Sequence, residues 1–466
     1  MTRRCNWRDC QAWKDEGLAF STTSNEACKL YDAALTQIVG FYQDKSMGGM
    51  DQTFKGLKEA DPEFVMGHVL TTGLTLCSMS IDIKKDEQLQ KSLDYLVTLK
   101  EKPTTTHRET KHIEAVQVLA DGYMSKAANI WEDLLVDYPT DLLALKLAQV
   151  NYYYLGKSIP MRDSIARVFP HWKPSTPLYG YLYGMYAFGL EESGMYAKAE
   201  IAANKGLAIN PNDCWSSHAH AHCFEMTGRH DNGIQFMTET ENDWKICDGL
   251  ADHIYWHLAL YYVEIGNYNK ALDIYDSEIL PRCLNSTYTV HAASLLYRLE
   301  FEGLKVGKER WQQLYETGEP SHFKHLLVYN DLHYVMAALR SEHQDVAKAQ
   351  INSIREFIRD RCGDQCDVMK KVGLPVCEAL VAYENGEYAQ AVDLLNPVRY
   401  KFVNMGASNA QRDEFQQLFI HAAINSPEKH HKRLARSLLL ERKALRENTP
   451  LTDRLTDRLL AMNIDD

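Results

Sequence analysis

A glycine, a tyrosine two residues on and an alanine three further on recur along this chain, and that spacing leaves few folds open. Gly194-x-Tyr196-x-x-Ala199, Gly266-x-Tyr268-x-x-Ala271 and Gly386-x-Tyr388-x-x-Ala391 carry the full pattern. Gly122-Tyr123 precedes Ala127, and Gly156-x-Ser158-x-x-Met161 and Gly228-x-His230-x-x-Gly233 are weaker copies. The alanine position falls at 127, 161, 199, 233, 271, 347, 391 and 435, with steps of 34 or 38 residues through the first five. Glycine tolerates the positive φ of a tight turn. A small residue just after it lets two helices approach closely, and Pro139, Pro211, Pro281 and Pro397 stand where the second helix of a pair is expected to stop.

A helix–turn–helix unit with a period near 34 is the tetratricopeptide pattern. The expected fold is all-α: a right-handed helical-repeat solenoid of paired helices with no substantial sheet, each pair burying its apolar face against its neighbours. The divisions read as an N-terminal segment (1–20), N-terminal helical pairs (21–104), regular repeats (105–282), an irregular helical unit (283–325), C-terminal repeats (326–447) and a polar tail (448–466) that covers the last repeat or frays. Thr23-Ser24-Asn25-Glu26 and Thr106-His107-Arg108-Glu109 fit capping boxes, and Thr140 precedes a helix as a cap. Residues 359–368 read as a loop, and Asn330 or Asp331 as a helix cap.

In such an array the first helix of each pair lines a concave surface. Helical spacing then puts Trp215, His218, His222 and Glu225 on one inner face, with His253, Trp256 and His257 on the next inner helix. His112, Lys146 and His333 fall at similar inner positions, and Arg412 is a candidate clamp for an anion. His220 is expected to point toward its partner helix. No catalytic residue is identified. The leading expectation is a module that binds a peptide, a protein segment or a small ligand in its concave groove. The alternative is an enzyme, a metal-dependent hydrolase or another small-molecule enzyme, with His218, His222, Glu225 and His257 at its centre; in the metal version they hold a divalent ion such as zinc. The spacing here is His-x-x-x-His-x-x-Glu, and no His-Glu-x-x-His motif occurs.

Charge and composition trim the alternatives. A formal net charge of −12 argues against a partner tracked through its phosphates, so no nucleic acid is expected. The apolar run from Phe64 to Met79 is interrupted by His68, Thr71, Thr72 and Thr75, so no membrane span is expected. Met1 to Trp13 lacks an apolar stretch of signal-peptide type. The 11 scattered cysteines read as reduced thiols of a cytoplasmic protein, and Cys362 with Cys366 lacks the further ligands a zinc site needs.

The stretches RDCQAWKD (Arg8–Asp15), STTSNEACKLYDA (Ser21–Ala33), YPTDLLALK (Tyr138–Lys146) and SNAQRDEF (Ser408–Phe415) resemble the tetratricopeptide repeat protein 38 family. That resemblance implies a soluble helical-repeat protein and carries over no catalytic residue.

Overall fold

The computed structural model describes residues 4–286 and 288–462, and every regular element among them is helical. The turns show why. Gly122, Gly194, Gly266 and Gly386 all take positive φ, between 74° and 89°. In each case the next residue's N–H reaches back across the helix end: Tyr123 to the Val118 carbonyl, Met195 to Leu190, Asn267 to Tyr262 and Glu387 to Ala382, at 2.8–3.1 Å. This closure satisfies carbonyls that the helix end would otherwise leave orphaned, and it sends the chain back antiparallel. The alanines that follow (127, 199, 271 and 391) are fully buried at the helix crossing. Gly233 replaces alanine because a Cβ there would come within 2.6 Å of the Tyr261 ring. The fold is therefore all-α, a helical repeat of tetratricopeptide-like pairs.

The chain forms two compact units. The first is Met1–Ala219 with Asn242–Leu250. It pairs Asn25–Gly40 with Gly49–Ala60, Val65–Cys77 with Glu87–Lys100, His107–Ala120 with Met124–Asp137, Leu142–Tyr154 with Ser158–Val168, and Tyr181–Glu192 with Tyr196–Ile209. The second is His220–Glu241 with Ala251–Asp466. It pairs Ala251–Glu264 with Tyr268–Ile274, Val290–Phe301 with Lys308–Gly318, Val328–Arg340 with Gln344–Asp360, Leu374–Glu384 with Tyr388–Leu395, and Asn409–Asn425 with Lys429–Leu445.

Several local expectations are corrected. The region 283–325 contains an ordinary pair, Val290–Phe301 and Lys308–Gly318, turned by Gly303 at φ 89° with the same Leu304-to-Leu299 closure. The turn before Ala347 uses Glu342 at φ 66°, with His343 N–H on the Ala338 carbonyl. Pro281 does not end its helix: a π-turn at Tyr275–Ile279 absorbs the missing N–H, and the chain continues as Leu280–Ser286. Residues 364–368 are helical rather than loop. Asp141, not Thr140, caps its helix by accepting from the Ala144 N–H. Ser24 alone accepts from Ala27 at its helix start, whereas Thr106 and Glu109 form a full capping box. Asn330 and Asp331 lie inside the Val328–Arg340 helix.

The tail docks as the helix Pro450–Leu460, with Leu451, Leu455 and Leu459 buried. Leu451 N–H donates to Glu264, Arg454 donates to the Val263 and Glu264 carbonyls and pairs with Glu302 at 2.6 Å, and Asn448 donates to the Gly228 carbonyl. No helix of the described residues is long and apolar enough to cross a membrane.

Candidate functional site

The Ala251–Glu264 helix is buried on almost every face, so its polar side chains must find partners inside the protein. His253 and His257 sit one turn apart on it, and His222 comes from the Cys214–Met226 helix. His222 and His257 are fully buried and His253 nearly so. Each of these three imidazoles offers a ring nitrogen within 4.8 Å of the others. The His222 and His257 ring centroids are 4.2 Å apart, and those of His253 and His257 are 4.7 Å apart.

The outer partners fix the protons. His257 Nδ1 donates to Glu225 Oε2 at 3.2 Å, and Arg446 donates to Glu225 Oε1 at 2.8 Å. Burial pushes the Glu225 carboxyl up, but Arg446 and His257 overcome it and hold it down at about 2. Burial lowers the His257 pKa, partly offset by Glu225, which favours the neutral ring. With Nδ1 carrying the proton, the Nε2 lone pair of His257 faces His253 Nε2 at 3.2 Å. A tetrahedral ion with bonds of about 2.0–2.1 Å spans its nitrogen ligands at roughly 3.3 Å, the same separation. A carboxylate behind a ligating histidine is the usual device for orienting such a ring. His253 also lies against Trp256 (5.3 Å, stacked) and His291 (4.4 Å), whose Nδ1 is 2.9 Å from Asp252.

The remaining inner-face candidates each have further neighbours of their own. His218, one turn before His222 in sequence, has Phe188 and Trp215 as ring neighbours in the first unit. Trp215 donates its indole N–H to the Val39 carbonyl. His112 is fully buried, with Nε2 on Asp141 at 3.0 Å and Nδ1 accepting from Trp131, while Arg108 pairs with the same aspartate at 2.7 Å. His333 bridges the Tyr329 carbonyl and Glu414. Arg412 turns back on its own helix start, donating to the Gly406 and Ala407 carbonyls and to Asn409. His220 stacks on Phe224 of its own helix and lies 4.6 Å from the Phe236 ring on the following one. Cys366 is buried with its thiol on the Arg361 carbonyl, and Cys362 is exposed.

Lys146 is the outlier. Its ammonium lies 3.7 Å from the Trp215 ring centroid and 5.0 Å from that of Phe41. Burial brings its pKa down to about 7, and burial pushes the nearby Asp213 up to about 7. A depressed amine pKa means the folded chain binds fewer protons than the unfolded one, so its stability rises between pH 7 and 10.5. Lys146→Met is expected to stabilise the protein at pH 7 by about 1 kcal/mol, the ring contacts offsetting part of a larger desolvation cost. It should also flatten that alkaline rise. Melting temperatures of both proteins at pH 7 and 9.5 check this.

What sequence reasoning missed is a buried ion-pair lattice in the second unit. Asp413 accepts from Arg442 at 2.8 Å and Arg298 at 3.2 Å, with Arg446 at 3.8 Å, and all four are buried. Three guanidiniums hold this carboxyl far below the usual carboxylate range, against its burial. Nothing local in the sequence marked the three distant arginines that converge on Asp413.

No family model matches the chain. Among solved structures it is similar to a human IFIT1 dimer with m7Gppp-AAAA (TM-score 0.38, 14% identity, 94% of each chain covered) and a human IFIT1 dimer with PPP-AAAA (0.36, 15%, 98% of each). A monomeric IFIT1 mutant with Gppp-AAAA is a third (0.35, 14%, 98% of each). The exclusion of nucleic acid is corrected accordingly: these helical-repeat chains are seen with RNA ligands. The physical reason is that −12 is a whole-chain sum, which says nothing of how basic groups are placed locally.

Proposed function

We propose that this protein binds a divalent transition-metal ion through His222, His253 and His257, with Glu225 orienting His257 from behind, and that the ion serves chemistry on a small ligand. The observation that carries the reading is the convergence of three buried imidazoles within 4.8 Å, backed by the Glu225–Arg446 pair. Neutral imidazoles suit zinc, and three of them leave a coordination position for water or ligand. A water bound there gains acidity and becomes a nucleophile near neutral pH, which is the hydrolytic version of this reading. Glu225 has a different role from the one its spacing suggested: it supports a ligand, and His253 takes its place in the set.

Purified full-length protein loaded with zinc and then desalted is expected to hold about one equivalent, and saturation should raise its melting temperature by several degrees. The cobalt form should show visible ligand-field bands. His257→Ala and His253→Ala should each abolish both. Less than a tenth of an equivalent after reloading, with no thermal shift, rules the reading out.

A second reading keeps a peptide partner. A groove of about 810 Å³ in the first unit is lined by Phe54, Leu57, Phe64 and Tyr95, with Lys55, Lys58 and Lys91 at its rim, and suits an apolar segment carrying acidic residues. Eleven cysteines, none in a disulfide among the described residues, suit a reducing, cytoplasmic setting. Membership of the tetratricopeptide repeat protein 38 family rests on the four sequence stretches quoted above.

A further inference from the structure

Away from the imidazole cluster, the second unit holds a serine, a histidine and an aspartate in line. His325 Nε2 is 2.9 Å from Ser353 Oγ, and His325 Nδ1 is 3.1 Å from Asp331 Oδ1. Asp331 is buried on the Val328–Arg340 helix, His325 is buried in the loop before it, and Ser353 is half-buried on Gln344–Asp360. His325 is held at φ 51°, a backbone region that non-glycine residues enter at a cost. Asp331 accepts only through Oδ1, and its Oδ2 is buried without a hydrogen-bond partner. A carboxylate left short of partners gains most when the imidazole beside it becomes a cation. One turn before Ser353, Gln350 is buried with neither amide atom hydrogen-bonded. An unsatisfied buried amide of this kind is costly and is expected to have a use.

We propose that Ser353, His325 and Asp331 form a nucleophile–base–positioning relay for acyl transfer, with the Gln350 amide as the donor to the developing oxyanion. The fitting substrate is an ester with an apolar acyl group, since Phe357, one turn after Ser353, lies 5.5 Å from the His325 ring. Asp331 fixes the proton on Nδ1, which leaves Nε2 as the base. Ser353 Oγ forms a bond to the ester carbonyl carbon while its proton passes to His325 Nε2 and the carbonyl π pair moves onto oxygen. That pair returns as the C–O bond to the leaving alcohol breaks, and the alcohol takes the proton from His325. Water then attacks the acyl-serine, giving a proton to His325. The Ser353–acyl bond breaks, the carboxylic acid departs, and His325 returns the proton to Ser353. The relay needs no metal and is independent of the imidazole centre.

The test uses full-length protein in excess chelator, an alkyl fluorophosphonate probe and peptide mass spectrometry. One probe per chain on Ser353 is expected, with none on Ser353→Ala, a substitution that suits a helix interior. His325→Gln should slow labelling at least ~100-fold, the scale of a lost general base. Asp331→Asn should slow it ~10-fold or more, with partial recovery in Asp331→Glu, whereas a merely structural aspartate would leave the rate of every folded variant unchanged. Unlabelled but folded wild type, or equal labelling rates in wild type and folded His325→Gln, would overturn the proposal. Melting curves establish folding for each variant.

Discussion

Asp413→Ala is expected to destabilise the second unit by about 3–5 kcal/mol, the usual cost of breaking a buried ion pair from one side. The substitution removes a single small side chain, but it strands Arg298, Arg442 and Arg446, all buried, with like charges facing one another. Arg446 keeps Glu225, and Arg298 keeps the Ala410 carbonyl, so the loss is partial at those two. Arg442 keeps only Thr452 among its side-chain partners. Removing Arg442 together with Asp413, as Asp413→Ala/Arg442→Met, should recover part of the loss, because the uncompensated charge goes with it. Denaturant melts of the single and double variants check both statements. A single-variant loss under 1 kcal/mol would mean that water reaches the lattice.

Gly228→Ala carries the second large effect, about 2–4 kcal/mol, through two separate causes. The residue sits at φ 66°, where a Cβ costs roughly 1–2 kcal/mol. That Cβ would also come within 2.3 Å of the Glu447 carbonyl oxygen and 2.6 Å of Asn448 Cβ. The turn glycine of one repeat is thus the seat on which the tail rests, and the clash adds to the dihedral strain. The expected signature is local: cleavage by a dilute protease between residues 447 and 462, and faster exchange of the Leu451 amide that bonds Glu264. Gly386→Ala is the control. It has the same kind of positive φ, but no atom within 4 Å of the new Cβ, so it should lose only the dihedral part.

These two glycines also show where the sequence could be read and where it could not. Turn glycine, spacer, tyrosine and alanine are all within six residues, so the repeat declared itself locally. The pair at Val290–Phe301 and Lys308–Gly318 did not, because its Gly303 turn is followed by no tyrosine and no alanine at the right offset. Before Ala347 it is Glu342, not a glycine, that takes the left-handed conformation, so the alanine alone kept that repeat in view. At the imidazole centre, helical spacing gave His222 and His257 correct neighbours. It could not tell which of the clustered groups would face one another and which would be held from outside. That distinction depended on Arg446, whose bond to Glu225 spans 221 residues. The Ser353 relay was illegible for a related reason: its serine and its aspartate sit on the two helices of one pair, 22 positions apart, and only their packing with the preceding loop aligns them through His325.

The docked tail has a consequence for how the protein is made. Leu451 reaches back 187 residues to Glu264, and Arg446 reaches back 221 to Glu225. A ribosome delivers these partners 187 and 221 residues later, so the earlier helices of the second unit wait, incompletely satisfied, until Arg446 and Leu451 emerge. Contacts of such range are slow to form and leave sticky surfaces open meanwhile. A nascent chain stalled before Arg446 would hold nearly every repeat yet lack this clasp, and cellular quality control would meet it as an unfinished product.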